Sequence, residues 1–104
     1  GESVREEIKT LKVGDGEPFN ALYIVLKSVS DSRCATGNTC IWAGEAKAIF
    51  TWDGAPNGTE VVVKIGETVN IQGIRVTVEQ IDPYPQAGKM LIQSDYLVRV
   101  RFQW

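Results

Sequence analysis

The 104-residue sequence contains no histidine, only two cysteines and only one methionine. Without histidine, Ser-His-Asp and Cys-His catalysis are excluded and the commonest metal ligand is missing. Two cysteines alone cannot complete a four-coordinate zinc site. We therefore predict a protein that is not an enzyme, with no catalytic residues, no metal and no cofactor.

The sequence also lacks long apolar runs and an excess of charge of one sign. It has no stretch of about 18 apolar residues, which a membrane-spanning helix requires. Its net charge is −2, which provides no electrostatic footprint for nucleic acid. We expect neither a transmembrane span nor a nucleic-acid partner.

Period-two alternation of apolar and polar residues runs from residue 20 onward and predicts half-buried strands. Turn-forming segments such as GDGEP and DGAPNG separate the runs. Because no helix is predicted to cover the apolar faces, the sheet must close on itself or meet a second sheet. The predicted fold is all-β, a small β-sandwich or squashed barrel of about six or seven strands. The expected inward positions are Leu22, Ile24, Leu26, Ala46, Ala48, Phe50, Trp52, Val61, Val63, Ile65, Ile74, Val76, Val78, Tyr96, Val98, Val100, Phe102 and Trp104.

Sliding the sequence over itself by 52 positions indicates an internal repeat. Residues 11–14 (LKVG) then align with residues 63–66 (VKIG), and residues 50–52 (FTW) align with residues 102–104 (FQW). A shared Lys-x-Gly and a shared Phe-x-Trp in one ungapped register exceed what alternating strands match by chance. The predicted organisation is a flexible segment over residues 1–6, then one β domain over 7–104 with repeats at about 7–52 and 59–104.

The two cysteines, Cys34 and Cys40, are predicted to form a disulfide. Five small or polar residues separate them, and Gly37 and Asn38 tolerate the positive φ that a tight return needs. Closing this loop should stabilise the fold by roughly 2–2.5 kcal/mol. A disulfide predicts an extracytoplasmic location, whether periplasm, cell surface or medium. The alternative is a cytosolic protein with two free thiols.

The segment around the cysteines and a later Pro-Tyr-Pro form a distinctive pattern of residues. Its members are Asp31, Ser32, Arg33, Cys34, Cys40, Trp42, Ala43, Gly44, Pro83, Tyr84, Pro85 and Tyr96. In this pattern the sequence resembles a family of short, uncharacterised bacterial secreted proteins and lipoproteins, which implies export and a small exported domain but no particular activity. This chain differs at Ala35, where the family pattern has proline.

Two residue types in the sequence, tryptophan and arginine, suggest specific binding chemistry. The three tryptophans could stack on sugar rings, but Trp42, Trp52 and Trp104 share parity with apolar neighbours and are predicted to be core. Arg33, beside a cysteine, could be presented to a trypsin-like protease. The alternative is a structural role in which its guanidinium pairs with Asp31 or Glu45.

The favoured hypothesis is a non-enzymatic exported module that binds through residues 31–45. Loops on a rigid β scaffold usually carry function. The candidate binding residues are Arg33, Asn38, Glu45 and Tyr84. The expected partner is a protein or an envelope or cell-surface component, and the expected state is a monomer or weak dimer. The alternatives are a protease inhibitor that presents Arg33 and a carbohydrate-binding module.

Overall fold

The computed structural model describes residues 5–19 and 22–104, which form eight strands and one short 3-10 helix. This confirms the all-β prediction. The predicted strand count was too low, because short strands form next to segments whose composition predicts turns. The elements are β1 (Glu6–Leu11), β2 (Gly16–Phe19), β3 (Leu22–Asp31), β4 (Ala46–Trp52), β5 (Val61–Lys64), β6 (Thr68–Ile71), β7 (Ile74–Asp82), the 3-10 helix (Gln93–Asp95) and β8 (Leu97–Gln103).

The strands form two four-stranded antiparallel sheets, with orders β1-β8-β7-β6 and β2-β3-β4-β5. The second sheet is a meander of four consecutive strands, whereas the first combines the consecutive strands β6, β7 and β8 with β1 at its edge. The strand β1 precedes β2 in sequence but pairs with β8, and β5 precedes β6 but pairs with β4. The two predicted halves thus exchange their first strands.

The inner faces of the two sheets enclose the core, as the alternation predicts. Phe50 and Phe102 are fully buried, and the Phe19 ring lies 4.7 Å from that of Phe102 between centroids. Trp52 and Trp104 are half-buried and pack against this core, as predicted. Ile65 is exposed, because β5 ends at Lys64 and the alternation stops there. Within the described part of the chain, every residue that is buried as a whole is hydrophobic.

Equivalent hydrogen bonds recur 52 positions apart in the two sheets. The Gly14 N–H donates to the Leu26 carbonyl at 2.8 Å, and the Gly66 N–H donates to the Val78 carbonyl at 2.7 Å. A β-bulge follows Leu26 in β3 and Val78 in β7. The strands β2 and β6 also begin 52 positions apart, as do β3 and β7.

The last strand of each half departs from this spacing. Leu26 pairs with Phe50, whereas Val78 pairs with Val100 rather than with Phe102. The β7–β8 register is therefore displaced by two residues from the one that a strict 52-residue spacing requires. A common origin of the two halves stays a prediction.

The predicted flexible segment, residues 1–6, overlaps the beginning of β1. Residues 1–4 of the predicted flexible segment lie outside the described residues. Arg5 and Trp104 exchange backbone hydrogen bonds of 2.9 and 3.0 Å, and Glu6 begins β1. Residues 5 and 6 therefore pair with the last strand. Nowhere in residues 5–19 and 22–104 is there a helix long and apolar enough to cross a membrane.

Candidate functional site at the loop end of the sandwich

Two long connections leave one end of the sandwich, residues 32–45 after β3 and residues 83–96 after β7. We call these two segments the loop end. They are joined directly, because the Thr36 N–H donates to the Pro85 carbonyl and the Ala87 N–H donates to the Thr36 carbonyl, both at 2.9 Å. The loop end is therefore one surface built from two connections.

The first connection continues the β3–β4 pairing as a narrow hairpin. The Cys34 N–H donates to the Ala43 carbonyl at 2.9 Å, and the Cys34–Cys40 disulfide closes the tip. This confirms the predicted bridge. Gly37 adopts the predicted positive φ, at +95°, whereas the Asn38 N–H closes the turn by donating to the Ala35 carbonyl at 3.0 Å.

The Arg33 guanidinium joins the two connections from inside. It binds both carboxylate oxygens of Asp31, with Nε–Oδ1 at 2.9 Å and Nη2–Oδ2 at 3.0 Å. It also donates to the carbonyls of Ile81 at 3.0 Å and Pro83 at 3.1 Å. The ring of Tyr84 lies 4.9 Å from the guanidinium carbon, a cation–π contact.

This geometry confirms the structural interpretation of Arg33, with Asp31 rather than Glu45 as its partner. The Arg33 side chain is only 8% exposed. A protease-inhibitor role would require all these bonds to break before the guanidinium could enter another protein. The structure therefore offers no support for presentation of Arg33.

The ion pair is held in its charged form by its own hydrogen bonds. Burial raises the pKa of Asp31, but donors from the Arg33 side chain and backbone and from the Tyr96 hydroxyl outweigh burial and lower the pKa overall. The hydrogen bond to Asp31 raises the pKa of Arg33. Hydrogen bonding to a charged group favours that form, so the pair stays ionised at neutral pH.

The second connection is anchored to β3 by the side chain of Gln93. Its Oε1 accepts from the Val29 N–H at 2.7 Å, and its Nε2 donates to the Val29 carbonyl at 2.8 Å. The amide thus replaces a paired strand at this position of β3. Val29 is 52 positions from Ile81, whose carbonyl accepts from Arg33, so each connection binds the long strand of the other sheet.

Three of the four predicted binding residues come together at an open cleft of about 320 Å³. Arg33, Glu45 and Tyr84 line it with Lys64. Glu45 is bonded to Lys47 at 3.0 Å and to Lys64 at 3.2 Å, and hydrogen bonds from these lysines lower its pKa.

The fourth predicted residue, Asn38, lies in the disulfide loop and does not line this cleft. A larger cavity of about 430 Å³ lies at the opposite end of the sandwich, near Trp52 and Gln72. It contains none of the predicted binding residues.

The predicted core position of Trp42 is wrong. Trp42 is 81% exposed and its neighbour Ile41 is 92% exposed. The parity argument assumed that the β4 alternation extends back to residue 42. However, β4 begins at Ala46, and Gly44 has a φ of +71° that interrupts the alternation.

Sequence reasoning also missed Ile41 and Met90 as surface residues. Met90 is 89% exposed on the second connection. The available signal was a local absence of charge, since residues 34–44 and 83–92 contain one charged side chain, that of Lys89.

The exposure of Trp42 predicts the fluorescence behaviour of the chain. Emission of the native protein should contain a component that acrylamide quenches readily. This component comes from the exposed Trp42, whereas Trp52 and Trp104 are half-buried. Trp42→Phe should remove that component and leave the unfolding midpoint unchanged. Equal quenching of the native protein and the variant would contradict the exposed position.

The environment of Tyr96 predicts its titration. Burial, and then its hydrogen bond to Asp31, raises the pKa of Tyr96 to about 12. Since an unfolded tyrosine ionises near pH 10, this residue's contribution to stability is present below about pH 10 and is lost as pH rises through about 12. Alkaline absorbance titration should show a late phenolate step. Tyr96→Phe should abolish that step and Tyr23→Phe should retain it; a late step in Tyr96→Phe would contradict the assignment.

No protein-family model, no curated protein and no solved structure matches this chain. The structure itself defines a class, a disulfide-bridged β-sandwich with exposed apolar side chains at its loop end.

Proposed function

We propose that the protein is a non-enzymatic, extracytoplasmic interaction module that binds its partner through the loop end. The observation that carries the proposal is the adjacent pair Ile41 and Trp42, exposed on a hairpin closed by a disulfide. Contiguous exposed apolar side chains mark interaction sites. Tryptophan is also among the residues that contribute most to binding energy at interfaces.

The construction of the loop end supports a binding role. The hairpin is fixed at its tip by Cys34–Cys40 and at its base by Arg33, which bonds to Asp31 and to the second connection. A surface already ordered before association loses less conformational entropy on binding. The disulfide favours an oxidising compartment, which agrees with the exported family that the sequence resembles.

One observation favours a carbohydrate-binding module as a second candidate. Such a module needs aromatic faces open to solvent, and Trp42 is open while Tyr84 is half exposed. Flat aromatic faces stack on sugar rings, which is the mode of binding that the carbohydrate-binding hypothesis assumes. Loss of glycan-array binding on Trp42→Ala would promote this candidate.

Site-specific photo-crosslinking tests the proposed surface. A photoreactive residue is placed at position 42 and, as a matched control, at exposed Asn57 in the turn at the opposite end. The chain is incubated with isolated bacterial envelopes, and adducts are identified by mass. We expect protein, glycan or lipid adducts from position 42 above those from position 57. Equal yields from the two positions would refute the proposed surface.

A further inference from the structure

We infer that the partner of the loop end is a lipid bilayer surface, into which Trp42, Ile41 and Met90 insert. This inference rests on the proposed function and names the partner class. These three side chains are 81%, 92% and 89% exposed, the highest values among large apolar side chains in the part of the chain that the structure describes. Amphipathic tryptophan is enriched at membrane–water interfaces, where its ring sits at the headgroup level.

Charged side chains are sparse within the loop end, where they are confined to Arg33 and Glu45 at the base of the hairpin and to Lys89 and Asp95. Residues 34–44 and 83–92, which are 11 and 10 residues long, contain one charged side chain, that of Lys89. At the chain average of 23% charged residues, about five would be expected in segments of this length. Charged groups resist entry into a bilayer, and a lysine at its edge can extend its ammonium group to the headgroups.

The two connections carry these side chains as one unit. They are bridged at Thr36 and Gln86, and Ile41 and Met90 lie five and four residues beyond the bridge. Ile41 directly follows Cys40, which the disulfide joins to Cys34. Insertion therefore needs no reordering of either connection, and the apolar side chains of both contribute to one contact.

The aliphatic side chains favour lipid over a sugar or a protein pocket. A sugar would stack on Trp42 but would leave Ile41 and Met90 without an apolar partner. The nearby cleft is lined by Arg33, Glu45, Lys64 and Tyr84, and its lining includes none of the three exposed apolar side chains. A protein would need to provide a matching apolar cavity for each protrusion, whereas the interfacial layer of a bilayer accepts protruding apolar groups directly.

The nearby basic residues indicate whether binding requires anionic lipid. Lys47 and Lys64 are both engaged by Glu45, at 3.0 and 3.2 Å. Two ammonium groups against one carboxylate leave this cluster with a net charge of only +1, which offers little attraction for anionic headgroups. We therefore expect binding to zwitterionic phosphatidylcholine vesicles, with weak dependence on salt.

Vesicle partitioning of the full chain tests the inference. With phosphatidylcholine vesicles, we expect co-sedimentation, a blue shift of tryptophan emission and quenching by brominated acyl chains. Trp42→Ala should weaken partitioning about tenfold, and Met90→Ala should weaken it about threefold. The matched control is Val62→Ala, which shortens an exposed apolar side chain on β5 away from the loop end. It should leave partitioning unchanged, and thermal unfolding verifies that each variant is folded.

The results separate this inference from the proposed function. Absence of partitioning at millimolar lipid, or equal partitioning of Trp42→Ala and the unaltered chain, would overturn the lipid assignment. If position 42 then still gave protein or glycan adducts with envelopes, the binding surface would stand and only the partner class would be wrong. If neither vesicles nor envelopes engaged position 42, both proposals would fail.

Discussion

Replacing Gly44 with alanine is expected to lower the free energy of unfolding by about 3–5 kcal/mol. A Cβ at this position would overlap the backbone carbonyl of Ser32, and the glycine has a φ of +71°. Since the Ser32 N–H and hydroxyl both bond to the Glu45 carbonyl, neither hairpin strand can move aside without breaking the base of the loop end. The expected result is a protein that is unfolded or loses the loop-end structure.

Chemical denaturation of Gly44→Ala beside Gly54→Ala checks this prediction. Gly54 has a similar φ of +80°, but a Cβ there would meet nothing within 4 Å. Its substitution should cost only the backbone strain, about 1–2 kcal/mol. The difference between the variants isolates the overlap with Ser32. Equal losses of stability would show that the hairpin base can relax, contrary to the argument.

The second large effect is expected from Arg33→Met, which should cost about 3–5 kcal/mol. The variant keeps an apolar stem but leaves the Asp31 carboxylate, whose side chain is 5% exposed, without its bidentate partner. It also removes the donors to the Ile81 and Pro83 carbonyls. Arg33→Lys should recover only part of the loss, because an ammonium cannot reproduce the two-pronged contact.

A double-mutant cycle with Asp31→Asn separates the contribution of the ion pair from that of the hydrogen bonds that Arg33 donates to the Ile81 and Pro83 carbonyls. The double variant should lose less stability than the sum of the two single variants, because the uncompensated charge disappears when both partners are replaced. Since the pKa of Asp31 is lowered in the folded state, its contribution is present above about pH 4 and is lost as pH falls through the folded pKa. The stability gap between the unaltered chain and Asp31→Asn should therefore shrink in acid. A gap that is constant across this range would refute the assignment.

Much of the fold could be predicted because its strands are buried on one face. The parity of Ile24, Leu26, Val76 and Val78 follows from alternation, and these residues are buried as expected. The strand count failed because four-residue strands contain too few residues to show a period. The spacing of 52 could not reveal the displaced β7–β8 register, since a shift of two residues preserves parity.

The candidate site could be located but not correctly interpreted from sequence. The position of the disulfide followed from residue type and spacing, whereas the sequence left Asp31 and Glu45 as alternative partners of Arg33 and the structure selects Asp31. The exposure of Trp42 could not be predicted in this way. Alternation assigns side chains to a face only within a strand, and Gly44 interrupts it between Trp42 and β4. Gln93 gave no signal, since its role depends on Val29, 64 positions away in sequence.

The exchange of first strands between the halves has a consequence for fragments of this chain. A fragment ending in the turn at residues 53–58 would keep β2, β3 and β4 but would lack β5 beside β4 and Gln93 beside Val29. The remaining fragment would lack β1 beside β8 and Arg33 beside Ile81. Neither piece can saturate its own backbone, so a chain cut in this turn should regain its structure only by complementation between the two fragments.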